Sequence, residues 1–153
     1  MSDLAQARSA VADFLEANLN EDQLFEKLGV REKVREQDPA LVSSYSDDPA
    51  WDAKVMGPLD DVRSFGRIFF KKLNTQCYGI ACGSDTADTE ERKQLMASFG
   101  FGKTEVAAAL AALLVAQLAL APAVATVVAL LIVKLVFRNA LGAMCEVWKS
   151  KIS

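Results

Sequence analysis

From Val106 to Val133 the chain reads "VAAALAALLVAQLALAPAVATVVALLIV" without one charge, and Gln117 and Thr126 are its only polar side chains. A helix that is apolar all round belongs either in a protein interior or in a lipid bilayer. A chain of 153 residues has little interior in which to hide two such helices. As one straight helix the segment would extend roughly 42 Å, against a hydrocarbon core of about 30 Å. Pro122 interrupts it and disfavours helix at Ala121, which divides it into Thr104–Leu120 and Ala123 onward.

Three arrangements follow: a kinked single span, a membrane hairpin turning at "LAPA", or an antiparallel pair buried in a helical bundle. A single span puts the long N-terminal part and the C-terminal tail on opposite faces. Lys134 and Arg138 follow the segment, whereas Lys103 before it is offset by Glu105, so the charge bias places the C-terminus inside. The N-terminal part would then need export. Its opening, "MSDLAQARSAVADF", lacks the basic start and apolar core of a signal peptide. A hairpin keeps both ends on one side, but its Ala121–Pro122 tip supplies no polar cap for the freed backbone groups.

Lys134 would cost about 3 kcal/mol deep in a bilayer and less at an interface, where the end of the run places it. Beyond it Phe137, Leu141, Met144, Cys145, Trp148 and Ile152 recur at helical spacing, opposite Arg138, Glu146 and Lys149. The last helix is therefore expected to continue to about Ser150 and to turn amphipathic. Trp148 reads equally as an interfacial anchor and as a core residue. The residues assigned to membrane or core are Leu110, Leu114, Gln117, Pro122, Val128, Leu131 and Lys134. The many alanines make a marginal span and favour close helix packing in either medium. In its hairpin alone the segment resembles the pore-forming domains of colicins, which hold such a pair inside a bundle until they meet a membrane. No motif accompanies that likeness.

The rest of the chain reads as helices too. Met1 to Leu19 sets Leu4, Ala7, Val11, Phe14 and Leu15 on one face, with Ser2 or Asp3 as cap. Asn20 caps a second helix that Gly29 is expected to end. "VREKVREQDPALVSSY" is helical in part and breaks at Pro39. Ser43 to Pro58 reads as an acidic loop or linker whose Trp51 either packs on the domain, the preferred reading, or meets a partner. Leu59 to Cys82 is amphipathic, with Val62, Phe65, Phe69, Leu73 and Cys77 as its apolar stripe. Arg63, Arg67 and Lys71 form a basic row, read as a solvated face or as a surface for lipid headgroups or an acidic partner. Ser84 to Thr89 offers caps for a short helix from about Asp88 to Phe99, closed by Gly100. No strand pattern or repeat appears. The expected fold is all-α: a small helical bundle with a C-terminal hydrophobic helical hairpin over 104–150, an N-terminal arm over 1–42, a linker over 43–58 and a helical domain over 59–153.

Chemistry-bearing patterns are few. The chain has no histidine, which excludes imidazole bases and ligands. Cys77, Cys82 and Cys145 are odd in number and form no CxxC, so they read as buried thiols in a reducing compartment. A Cys77–Cys82 pair is the alternative, at a poor spacing for one helix. A net charge of -3 and pI near 5.0 argue against nucleic acid. "ASFGFGKTEV" fits a relaxed phosphate-loop pattern, but a charged helix rather than a buried strand precedes it. It reads as a boundary in which Gly100 and Gly102 turn the chain and Thr104 caps the next helix. No catalytic residue, cofactor, metal or nucleotide is expected.

Two functional readings follow. The first is a non-enzymatic protein with a membrane-inserting or membrane-anchoring hairpin, an oligomeric pore-type effector at the inner face of the membrane. The second is a soluble helical-bundle adaptor or binding module whose hairpin is its core or oligomer interface. Either expects a cytoplasmic protein with a protein partner or self-association.

Overall fold

A computed structural model describes residues 3–82, 90–136 and 144–152 of the chain. It is an all-α bundle, and among the described residues no strand occurs. The helices are α1 (Asp3–Ala17), α2 (Glu21–Gln37), α3 (Ala53–Met56), α4 (Leu59–Cys82), α5 (Glu90–Ser98), α6 (Lys103–Leu118), α7 (Pro122–Val136) and α8 (Met144–Ile152). A 3-10 turn, Pro39–Val42, follows α2. The cap positions around Ser84–Thr89 lie outside the described residues, as do Ser2, Phe137, Arg138 and Leu141.

The uncharged segment forms the centre. α6 and α7, joined by Ala119–Ala121, pack on each other, and every residue of 106–114 and 123–133 is buried. α1 lies on both, α5 covers α6, α2 lies on α7, and α8 packs on α4 and α7. Ala7, Ala10 and Val11 of α1 and Leu24, Phe25 and Leu28 of α2 share one apolar cluster with the α6–α7 pair. A second, smaller cluster joins Val30, Val34, Val42, Val62 and Ala123. No described helix is long and apolar enough to cross a membrane.

Local chemistry explains the helix ends. Asn20 and Gln23 form a reciprocal capping box at the start of α2. Pro122 occupies the first position of α7, where its missing N–H is not needed. Ala119 ends α6 in the left-handed region at φ 54. Two expectations are corrected. Gly102, at φ 96, is the N-cap of α6, and Thr104 lies within the helix. Gly29 does not end α2, which continues to Gln37.

The reason lies in a close crossing. A Cβ on Gly29 would stand 2.2 Å from the Val62 carbonyl oxygen of α4, and one on Gly66 would stand 2.1 Å from the Phe25 carbonyl oxygen of α2. Two glycines thus let α2 and α4 touch backbone to backbone. Around that contact Phe25 meets Phe70 edge-on at 5.8 Å between ring centres. Arg63 pairs with Glu26 and Arg67 with Asp22, both from α4 to α2.

The cysteines are also corrected. Cys82, at the end of α4, and Cys145, in α8, form a disulfide with a Cα–Cα distance of 5.6 Å. Beside it Trp148 is fully buried, donates its indole N–H to Asn74 Oδ1 at 2.8 Å and meets Tyr78 edge-on. Cys77 is a free buried thiol whose pKa desolvation pushes up to about 12. At pH 8 native protein should therefore resist iodoacetamide at Cys77, while urea-unfolded protein takes up one alkyl group without reductant. Rapid labelling of the native protein would contradict the burial.

Candidate functional site

The site is built at the corner where α1 ends. Asn18 turns the chain at φ 53, and Asn20 opens α2 two residues later. Two cavities flank this corner and share Phe14 and Leu19 as a common wall. The outer one, about 280 Å³, is lined by Ala10, Asp13, Ala17, Lys27, Ser46 and Asp48 besides the shared pair. The inner one, about 170 Å³, is lined by Leu15, Asn18, Leu24, Lys103, Ala107, Leu130, Val133 and Lys134 with the shared pair.

Charged groups fix the outer cavity. Lys27 Nζ donates to both carboxylate oxygens of Asp48, at 3.1 and 3.2 Å. Arg31 is completely buried beneath them. Its Nη2 stands 3.1 Å from Asp48, its Nη1 donates to the Lys27 carbonyl at 3.3 Å, and its guanidinium lies 5.1 Å from the centre of the Phe14 ring. Burial lowers the Arg31 pKa, and the carboxylate of Asp48 opposes that shift. Asp48 lies on the loop between the 3-10 turn and α3, which the Thr126 hydroxyl of α7 also holds, 3.1 Å from the Tyr45 carbonyl oxygen. Asp48→Asn should lower stability by about 2 kcal/mol. Breaking a buried pair costs roughly 3–5 kcal/mol, and the half-exposed carboxylate reduces that here. Urea denaturation of the variant measures it, and an unchanged midpoint would remove Asp48 as the counter-charge.

The inner cavity has a different character. Its walls are mostly apolar, and among the described residues its charged groups are Lys103 and Lys134 and no carboxylate lines it. Lys134 Nζ donates to the Leu19 carbonyl oxygen at 3.1 Å, at the end of α1.

The residues singled out by the sequence are dispersed. Leu110, Leu114, Val128 and Leu131 are core, Gln117 is exposed, and Pro122 is half-buried at the start of α7. Of these assigned residues, Lys134 alone lines the corner cavities. Arg63 and Arg67 are held by carboxylates of α2, and Lys71 is exposed further along α4. Trp51 is 43% exposed and donates its indole N–H to the Gly57 carbonyl within its own loop. Trp148 is core. Sequence reading missed Phe14 as a cavity wall, Lys27, Arg31 and Asp48 as a charge cluster, and Phe101, which is 75% exposed between α5 and α6. A basic pair at i, i+4 on α2, facing an acidic loop, was the only available signal for the cluster.

Ala97–Val106 joins α5 to α6 as a helix–helix connection, with no strand before it. Among the described residues no group of three or more acidic, cysteine or histidine side chains is placed to hold a metal. Compared with known families, curated proteins and solved structures, the chain matches none.

Proposed function

We propose that this chain is a non-enzymatic helical binding module whose apolar pair is its core and whose α1–α2 corner receives a small ligand. The observation that carries the reading is the burial of 106–114 and 123–133 by helices of the same chain. A core already covered in this way needs neither lipid nor a second copy. The corner supports the second half: a concave site with mostly apolar walls and a few converging polar groups is the usual form of a small-molecule site.

The test has two arms. Carbonate-washed fractionation and size-exclusion chromatography without detergent should return the protein in the supernatant as a single species. Methyl NMR during a fragment screen should then show shifts gathered at Leu15, Leu24, Leu130 and Val133. Protein retained in the washed membrane pellet would sink the module reading and restore the inserting one. Shifts gathered at Phe101 or Trp51 instead would move the site away from the corner.

A further inference from the structure

We infer that the inner corner cavity binds a medium-chain aliphatic carboxylate, its tail among Leu24, Ala107, Leu130 and Val133 and its head on Lys134 and Lys103. The inference rests on the corner being a ligand site and adds what kind of ligand it takes. Charge decides the head group. The chain as a whole is acidic, with 20 carboxylate side chains against 17 basic ones. Yet among the described residues this cavity has two lysines and no carboxylate on its lining. The nearest acid in sequence to Lys103, Glu105, is occupied: Arg8 holds it through both oxygens, at 2.6 and 3.1 Å. Lys134 is half-buried and spends one of its three N–H donors on Leu19. Its remaining donors are available to an oxyanion, and the bond to Leu19 holds the ammonium in place beforehand. α6 starts at Lys103, and its N-cap, Gly102, makes no side-chain bond to the first N–H groups, which adds positive potential at the same rim.

Shape decides the tail. The remaining walls are Phe14, Leu15, Leu19, Leu24, Ala107, Leu130 and Val133, with Asn18 at the edge. A volume near 170 Å³ has room for about six to eight carbon atoms, since an apolar cavity of roughly 150 Å³ holds benzene. An inorganic anion would leave those walls in contact with water, and a neutral hydrocarbon would give the two ammonium groups no counter-charge.

The experiment is a methyl NMR titration of the full chain with octanoate, and separately with 1-octanol, below micelle-forming concentrations. Octanoate should shift Ala107, Leu130 and Val133 saturably at one site, and octanol should bind at least tenfold more weakly. Lys103 is exposed, so Lys103→Glu should fold normally; it should weaken octanoate at least tenfold and leave octanol unchanged. Equal affinities for the two ligands, or octanoate binding unaffected by Lys103→Glu, would overturn carboxylate recognition while leaving the corner a ligand site. Shifts from neither ligand would overturn the inference, and with fragment shifts also missing from the corner, the binding-module reading falls separately.

Discussion

Reducing the Cys82–Cys145 disulfide should lower folding stability by about 4 kcal/mol. The two cysteines are 63 residues apart, and closing a loop of that length removes about this much chain entropy from the unfolded state. The effect concentrates on α8. A helix of nine residues is too short to persist alone in water, so its place depends on the disulfide and on the burial of Trp148. Trp148 emission should therefore shift to the red before the α2–α4 contact is lost. In a chain of this size the expected fall in melting temperature is about 10 °C. Denaturation with and without dithiothreitol measures it, and a Cys82→Ser/Cys145→Ser double variant should reproduce the reduced protein without reductant. A loss under about 1 kcal/mol, or a double variant as stable as the oxidised protein, would mean that the linkage contributes little. Disulfides persist in oxidising compartments, so trapping the thiols in intact cells would also reveal where the protein resides.

Gly66→Ala should cost about 3 kcal/mol, and Gly29→Ala a similar amount. At both positions the new methyl would meet backbone of the facing helix, which has no rotamer with which to yield. Overfilling a packed contact costs roughly 1–3 kcal/mol where side chains can adjust, and here they cannot. α2 and α4 would have to separate, stretching the Arg63–Glu26 and Arg67–Asp22 pairs and the Phe25–Phe70 contact. Gly79 is the control, because it lies in the same helix α4 and a Cβ there meets nothing within 4 Å. Gly79→Ala should stabilise the protein by about 0.5–1 kcal/mol through helix propensity. The same substitution in one helix should thus act in opposite directions, as urea midpoints would show. If all three variants moved together, the crossing would not be as close as the structure has it.

The helical class was legible because the apolar positions recur at helical spacing nearly throughout, and capping chemistry marks starts such as Asn20. The central role of Val106–Val133 was legible too, but the helices that cover it were not. A segment without charge reads the same whether lipid or neighbouring helices surround it, and nothing local in it names α1, α2 and α5 as its cover. Gly29 misled for a related reason. Locally a glycine favours a helix end, whereas here the approach of Val62 from 33 residues further on requires it. Arg63 and Arg67 looked like a free basic row because their partners, Glu26 and Asp22, sit on another helix. The disulfide left no trace in the spacing of its cysteines. Lys134 was visible as the charge that ends the apolar run, but its cavity was not. That cavity exists only where the end of α1, the start of α2 and the facing parts of α6 and α7 meet.

The seating of α1 has a consequence for how the chain is made. Arg8 and Glu105, the ion pair that ties α1 to α6, are 97 residues apart. On a ribosome adding about 5–20 residues per second, α1 is synthesised roughly 5–20 s before its seat. α2 and α4 can meet during that interval, but α6, on which α1 chiefly packs, does not yet exist. A lone helix of this length is marginal in water. Nascent α1 thus waits without its main packing surface, and a translational pause before residue 103 would lengthen that wait.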